Sequence, residues 1–215
     1  MNNINNNDNI PSCKVTLLGD SGVGKSSIIA RYVSGVFVKD LISTSGTNYS
    51  YKICESKGKK VRLNIWDTAG QEKYRSLGKH FYRDSYIIIL VYDITQKASF
   101  QSIKEIWHPE ILKNGEEYSI VAVVGNKSDK YTEEEVNEEE ASSFTKEIGA
   151  KFFLVSAQNG NGINNMFQTL AETYLEPTFR KKIDDNANEY QRKNSITLVS
   201  KNFTENKNTK NTKCC

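Results

Sequence analysis

Four cysteines, three prolines, two methionines and two histidines in 215 residues leave little material for several common kinds of chemistry. Cys13 and Cys54 stand singly in apolar stretches and Cys214 and Cys215 are adjacent at the end, so no spacing suits a zinc site or a disulfide framework. That usage fits a reducing compartment, and a chain of this length can bury a core without such staples. Long apolar runs are missing as well. The longest, YIIILVY at 86–92, falls far short of the ~20 residues a bilayer span needs. The opening MNNINNNDNI has neither the basic nor the apolar part of a secretory leader, so synthesis in the cytosol is expected. A broad basic face is also absent. From Thr178 onward nine Lys or Arg face four Asp or Glu, which puts +5 in the tail and leaves −2 for the rest of a chain whose net charge is +3. Such a body excludes a nucleic-acid partner, whereas a basic tail suits a solvated segment or one drawn to anionic lipid.

What is present is an alternation of short β-branched runs with helical patterns. KVTLLG (14–19), SYKICE (50–55), VRLNIWD (61–67), IIILVYD (87–93), SIVAVVG (119–125) and KFFLVS (151–156) read as six strands, and helix-type spacing occupies 25–34, 99–113, 133–148 and 162–175. That order predicts an α/β fold, a doubly wound, mostly parallel six-stranded sheet. Strands two and three are the exception. Only SKGKK around Gly58 joins them, too short for a crossover helix, so they should pair antiparallel with one of them at an edge. Residues 1–11 and 177–215 have the Asn-, Lys-, Ser- and Thr-rich composition of flexible segments, which leaves 12–176 as a single domain. The acidic run TEEEVNEEE (132–140) has no Asp-x-Asp-Gly frame for a cation and reads as a solvated helix start.

GDSGVGKS (19–26) follows the first strand and opens a helix, matching the phosphate-cradling pattern G-x-x-x-x-G-K-S in its required context. Gly22 and Gly24 let backbone N–H groups wrap phosphate oxygens, with Gly19, Asp20, Ser21, Val23 and Ser27 completing the loop and the helix start. Lys25 supplies a point charge to the β- and γ-phosphates, the Ser26 hydroxyl is placed to ligate Mg²⁺, and Asp67, closing the third strand, would hold the ion's water shell. Such a loop cannot choose between ATP and GTP. NKSD (126–129) reads the base: after the fifth strand, Asp129 can accept both N1–H and the exocyclic amine of guanine, where adenine would leave the carboxylate unpaired. Taken alone, Lys127 and Asp129 could equally be a solvated loop.

With DTAGQE (67–72) and SAQ (156–158) in the same order, the sequence resembles the Ras superfamily of small GTPases over 13–176. RLNIWDTAGQEKYRSL (62–77), FYRDS (81–85), LVYDIT (90–95) and the two terminal cysteines resemble the Rab family within it.

The resemblance implies a slow GTPase cycling between GTP and GDP with Mg²⁺. Thr44 would complete the Mg²⁺ shell, Gly70 would give its N–H to the γ-phosphate, and Gln71 would orient the attacking water beside the charge of Lys25. Phe37 would pack on the guanine; Asn126 and Lys127 would brace its pocket; Ser156, Ala157 and Gln158 would form its third wall, with the Ala157 N–H meeting the base oxygen. Effectors would read Leu41, Ile42, Ser43, Thr44, Ser45, Gly46, Thr47 and Asn48 together with an aromatic triad of Tyr49, Trp66 and Phe81. Strand alternation agrees on one point: Leu63 and Ile65 share a face, so Asn64 and Trp66 share the other. Cys214 and Cys215 would carry geranylgeranyl groups that anchor a monomer to the cytoplasmic face of an intracellular or plasma membrane, with a cytosolic pool. The partners implied are an exchange factor, a GTPase-activating protein, effectors, and prenylation-escort and dissociation-inhibitor proteins that serve vesicle transport. Three departures stand out: Ser45-Gly46-Thr47-Asn48-Tyr49 where the family has I-G-V-D-F, Leu41 where a Tyr is common, and Gln158 where Lys is usual. They leave a second reading open, a guanine-nucleotide-binding scaffold that does not cycle.

Overall fold

The fold is given by a computed structural model that describes residues 10–37, 47–68 and 82–186. Among these lie six strands: β1 Ser12–Leu18, β2 Thr47–Ser56, β3 Lys59–Thr68, β4 Ile87–Asp93, β5 Ile120–Asn126 and β6 Lys151–Leu154. They form one sheet in the order β2-β3-β1-β4-β5-β6, every neighbouring pair parallel except β2 with β3. The expected α/β sheet with an antiparallel edge is therefore present. Its hairpin turns on Lys57 (φ 50°) and Gly58 (φ 74°), the pair of positive φ values that a two-residue turn between right-twisted strands requires. β4 is buried along its whole length, as a central strand covered on both faces must be, while β3 alternates between buried Val61, Leu63, Ile65 and more open Arg62, Asn64, Trp66. Just ahead of β1, the Pro11 carbonyl accepts from the Arg62 N–H at 2.9 Å.

Helices α1 Lys25–Ser34 and α5 Ile163–Leu175 cover one face, with the rings of Tyr32 and Phe167 stacked at 3.9 Å. In α5 the buried Ile163, Met166, Phe167, Leu170, Ala171 and Tyr174 follow the three- and four-residue spacing of an apolar stripe. The other face carries α2 Lys97–Ser102, a π-helical turn Ile103–Trp107, α3 His108–Asn114 and α4 Glu138–Glu147. The core there joins Leu90, Tyr92, Phe100, Ile103, Trp107 and Val123.

One expectation needs correction. The helix expected over 133–148, α4, begins at Glu138 rather than 133, because the Asn137 side chain caps it by accepting from the Glu139 N–H at 2.6 Å; Ser128–Glu133 instead form a short 3₁₀ helix. Only Glu138, Glu139 and Glu140 of the acidic run occupy a helical first turn. The chain divides into a unit ending at Leu175 and another starting at Glu176, and within the latter residues 177–186 are helical. Pro177 suits a first helical turn, where its missing N–H is not needed, and the Arg180 N–H donates to Glu176 O at 3.0 Å.

Candidate functional site

Parallel strands β1, β3, β4 and β5 end on the same side of the sheet, and the chain leaves β1 with neighbours on both flanks, the arrangement that opens a crevice for ligands. The 19–26 loop fills that position. Gly19 has φ 144°, and a Cβ there would stand 2.2 Å from the Val91 carbonyl; Gly24 has φ 96°, and its Cβ would stand 2.3 Å from Asn126 Nδ2. No side chain fits at either place, so the glycines let strand and loop approach each other. Gly24 also starts α1 without a side-chain cap, so the positive end of the dipole of that ten-residue helix lies at the loop. Lys25, 5% exposed, donates from Nζ to the Gly19 and Asp20 carbonyls, both at 2.8 Å. Burial lowers its pKa to about 8, against the upward pull of Asp67 and then Asp20. A buried ammonium held only by carbonyl oxygens and nearby carboxylates is a strong attractor for phosphate.

The Ser26 hydroxyl donates to Asp67 Oδ2 at 2.6 Å, bringing the loop to the end of β3. A hydroxyl and a carboxylate side by side are the hard oxygen donors Mg²⁺ prefers. Two such donors suit an ion that takes its other ligands from water and phosphate oxygens, as Mg²⁺ does. The Thr68 hydroxyl ties the end of β3 to β1 by donating to the Leu17 carbonyl at 2.6 Å.

Asn126 ties this half of the site to the other. Its Nδ2 donates to Val23 O at 2.8 Å while its Oδ1 accepts from the Ala157 N–H at 3.1 Å, and the residue is 1% exposed. Lys127 follows in the left-handed region (φ 66°) and its Nζ lies 2.6 Å from Oδ2 of the buried Asp93, which closes β4 opposite Asn126 in the register. Asp129, in the 3₁₀ helix, accepts from the Ser156 hydroxyl, which fixes the carboxylate beside the 156–158 loop. That loop is held from behind by Arg31 of α1. The guanidinium donates to the carbonyls of Ala157 (2.9 Å), Gly35 (2.8 Å) and Gln158, and sits 6.0 Å from the Phe37 ring centroid. Phe37 is thus half-buried next to the base-reading loop.

The family model described as Ras family matches residues 14–176. The chain belongs to the Ras family of small GTPases. Its likeness within that family is to Rab proteins. It is 40% identical over 160 residues to Ras-related protein Rab-26 of Bos taurus, which covers 74% of this chain and 62% of that one, so the match spans less than two thirds of that relative. Over 173 residues it is 39% identical to Ras-related protein SEC4 of Saccharomyces cerevisiae (80% of this chain, 77% of that one). Ras-related protein RABC2b of Arabidopsis thaliana is 40% identical over 166 residues (77% and 80%). This Ras-family chain is accordingly of the Rab type.

In this Rab-type chain the residues expected from sequence gather as follows. The loop 19–27, Asp67, Asn126, Lys127, Asp129, Ser156 and Ala157 surround one crevice, with Gln158 exposed at its rim. The Ala157 N–H, expected to meet the base oxygen, donates to Asn126 Oδ1 in this structure. On the hairpin, Tyr49 and Trp66 are register partners in an edge-to-face pair with centroids 5.4 Å apart, Tyr49 is 51% exposed, and its hydroxyl donates to Asn64 Oδ1 at 2.8 Å. Asn48 is exposed on the same strand. Leu41 to Gly46, with Thr44 among them, Gly70, Gln71, Phe81, Cys214 and Cys215 lie outside the described residues. Sequence reasoning missed Arg31 and Asp93. A carboxylate closing the otherwise apolar IIILVYD was a signal for Asp93, whereas nothing in the spacing tied Arg31 to a loop 126 residues on.

Proposed function

We propose that this chain is a GTP/GDP switch of the Rab type, anchored to a membrane through Cys214 and Cys215 and acting in vesicle traffic. The observation that carries the reading is Asn126, which bonds the phosphate-binding loop on one side and the base-reading loop on the other. Phosphate recognition and base recognition therefore share one rigid frame. In that frame Lys25 and the N-terminal end of α1 bind the β- and γ-phosphates. Bound Mg²⁺, held by Ser26 with Asp67 and Thr44, would neutralise charge developing on the phosphates. Asp129, oriented by Ser156, accepts from the guanine edge, and Phe37 packs on the ring. Gly70 and Gln71 meet the γ-phosphate and the attacking water. As the resemblance implies, the chain hydrolyses GTP slowly until an activating protein supplies further transition-state charge.

The GTP state orders the segments around 36–49 and 68–82, and effectors read them with Tyr49, Trp66 and Phe81. The Tyr49–Trp66 pair supports that reading, since an exposed Tyr49 packed edge-to-face on a half-buried Trp66 at an edge hairpin is suited to contact. Exchange factor, activating protein, escort and dissociation-inhibitor proteins complete the cycle between a cytosolic pool and the cytoplasmic face of a membrane. No helix among the described residues is long and apolar enough to cross a membrane, so on this reading lipid chains do the anchoring. A Cys214→Ser/Cys215→Ser protein that still decorates a membrane in cells would remove this part of the proposal.

Base selectivity tests the site itself. Asp129→Asn turns one acceptor into a donor, which suits the 2-oxo group of xanthine instead of the 2-amino group of guanine. Wild type should prefer GDP over both ADP and XDP, and the variant should prefer XDP. Unchanged selectivity in the variant would show that Asp129 does not read the base.

A further inference from the structure

The second residue of the phosphate-binding loop is Asp20, an anion in a loop suited to hold anions. Its carboxylate is held from outside the loop. Trp107, at the end of the π-helical turn Ile103–Trp107, donates its indole Nε1–H to Asp20 Oδ1 at 2.9 Å across 87 residues of sequence. The π turn is a local departure from an otherwise α-helical stretch over 97–114, and such turns recur at functional sites. Lys25 stands on the same loop, donating to the Asp20 and Gly19 carbonyls, and the Asp20 side chain is near enough to act on its charge. Released from the indole, that carboxylate could turn toward Lys25 and compete with phosphate for the one cation in the loop.

We propose that Trp107 is a positioning residue for the phosphate-binding loop: its indole N–H holds the Asp20 carboxylate away from Lys25 and so slows nucleotide release. The inference rests on the nucleotide reading of this site. It differs from a plain packing role, which Trp107 could also have at 8% exposure among Ile103 and Ile111. If Trp107 acts through Asp20, its effect must vanish when Asp20 has no carboxylate.

The test is a double-mutant cycle on the full chain, following release of fluorescently labelled GDP into excess GDP for wild type, Trp107→Phe, Asp20→Ala and the double variant. Loss of a hydrogen bond to a charged group predicts roughly tenfold faster release for Trp107→Phe. In the Asp20→Ala background the same change should alter release by less than about twofold. Equal acceleration in both backgrounds would reduce Trp107 to packing and overturn the inference, as would no acceleration in either. A wild-type chain that retains no labelled GDP at all overturns the nucleotide reading, and this inference with it. Should Trp107→Phe fail to fold, the indole N–H resonance of Trp107, assigned with Trp66→Phe, takes its place: it should shift in Asp20→Ala and respond to GDP in wild type. An indole resonance identical with and without the Asp20 carboxylate contradicts the proposal.

Discussion

Replacing Asn126 by alanine should loosen both halves of the site at once. The side chain is 1% exposed and makes two bonds, to Val23 O at 2.8 Å and from Ala157 N at 3.1 Å, and both partners are themselves buried. Truncation strands a carbonyl and an N–H, each costing about 1–3 kcal/mol when left unsatisfied. Water entering the gap offsets part of that, so the expected loss of unfolding free energy is about 2–4 kcal/mol. With a urea m-value of about 2 kcal/mol/M, the midpoint should fall by roughly 1–2 M. Asn126→Asp is the sharper variant. It keeps the acceptor for the Ala157 N–H but points a carboxylate oxygen at the Val23 carbonyl, so it should lose at least as much. Urea unfolding followed by far-UV circular dichroism, with and without saturating GDP and Mg²⁺, measures both stability and the ligand's added stabilisation. A midpoint for Asn126→Ala that corresponds to less than about 0.5 kcal/mol, with GDP stabilisation intact, would refute the idea that this residue joins the loops.

Two further expectations concern kinetics and pH. Arg31→Lys keeps the charge but not the fork that reaches the Ala157, Gln158 and Gly35 carbonyls, so GDP release should speed by about tenfold and as much as in Arg31→Ala; release at the wild-type rate in the Lys variant would show that charge alone suffices. Lys25 has a folded-state pKa of about 8 against an ordinary 10.5, so folding releases its proton between those values. Its contribution makes the empty protein more stable as pH rises through that window, and phosphate binding restores the proton. GDP affinity should then weaken above about pH 8, by at most about tenfold per pH unit, in titration calorimetry; affinity flat to pH 10 would contradict the role of Lys25.

The sheet was legible because its strands advertise themselves. An apolar run such as 87–92, short and rich in β-branched residues, reads as a covered strand, and a two-residue link at Lys57-Gly58 joins antiparallel neighbours. Helix limits were less so. The acidic run looked like a helix start at 133, yet Asn137, an ordinary cap residue inside that run, decides the boundary. Similarly, periodic apolar residues over 99–113 gave no sign of the π turn at Ile103–Trp107, since such a turn changes hydrogen bonding without altering composition. The helix at 177–186 escaped because Phe179 and Ile183, its only large apolar residues, are too few to reveal a stripe. Within the site, contiguous motifs disclosed the residues that face a ligand. The groups that hold those residues in place, Arg31 behind the 156–158 loop and Asp93 beneath Lys127, come from distant segments whose meeting only the fold brings about.

The claim that this chain is a cycling switch, and not a scaffold that merely holds guanine nucleotide, is tested most directly by single-turnover phosphate release from GTP-loaded protein, wild type beside Gln71→Leu. The account predicts slow release from wild type, strong suppression in the variant and GTP bound tightly by both. No release from wild type over hours with GTP still bound, or equal rates in the two proteins, would contradict it.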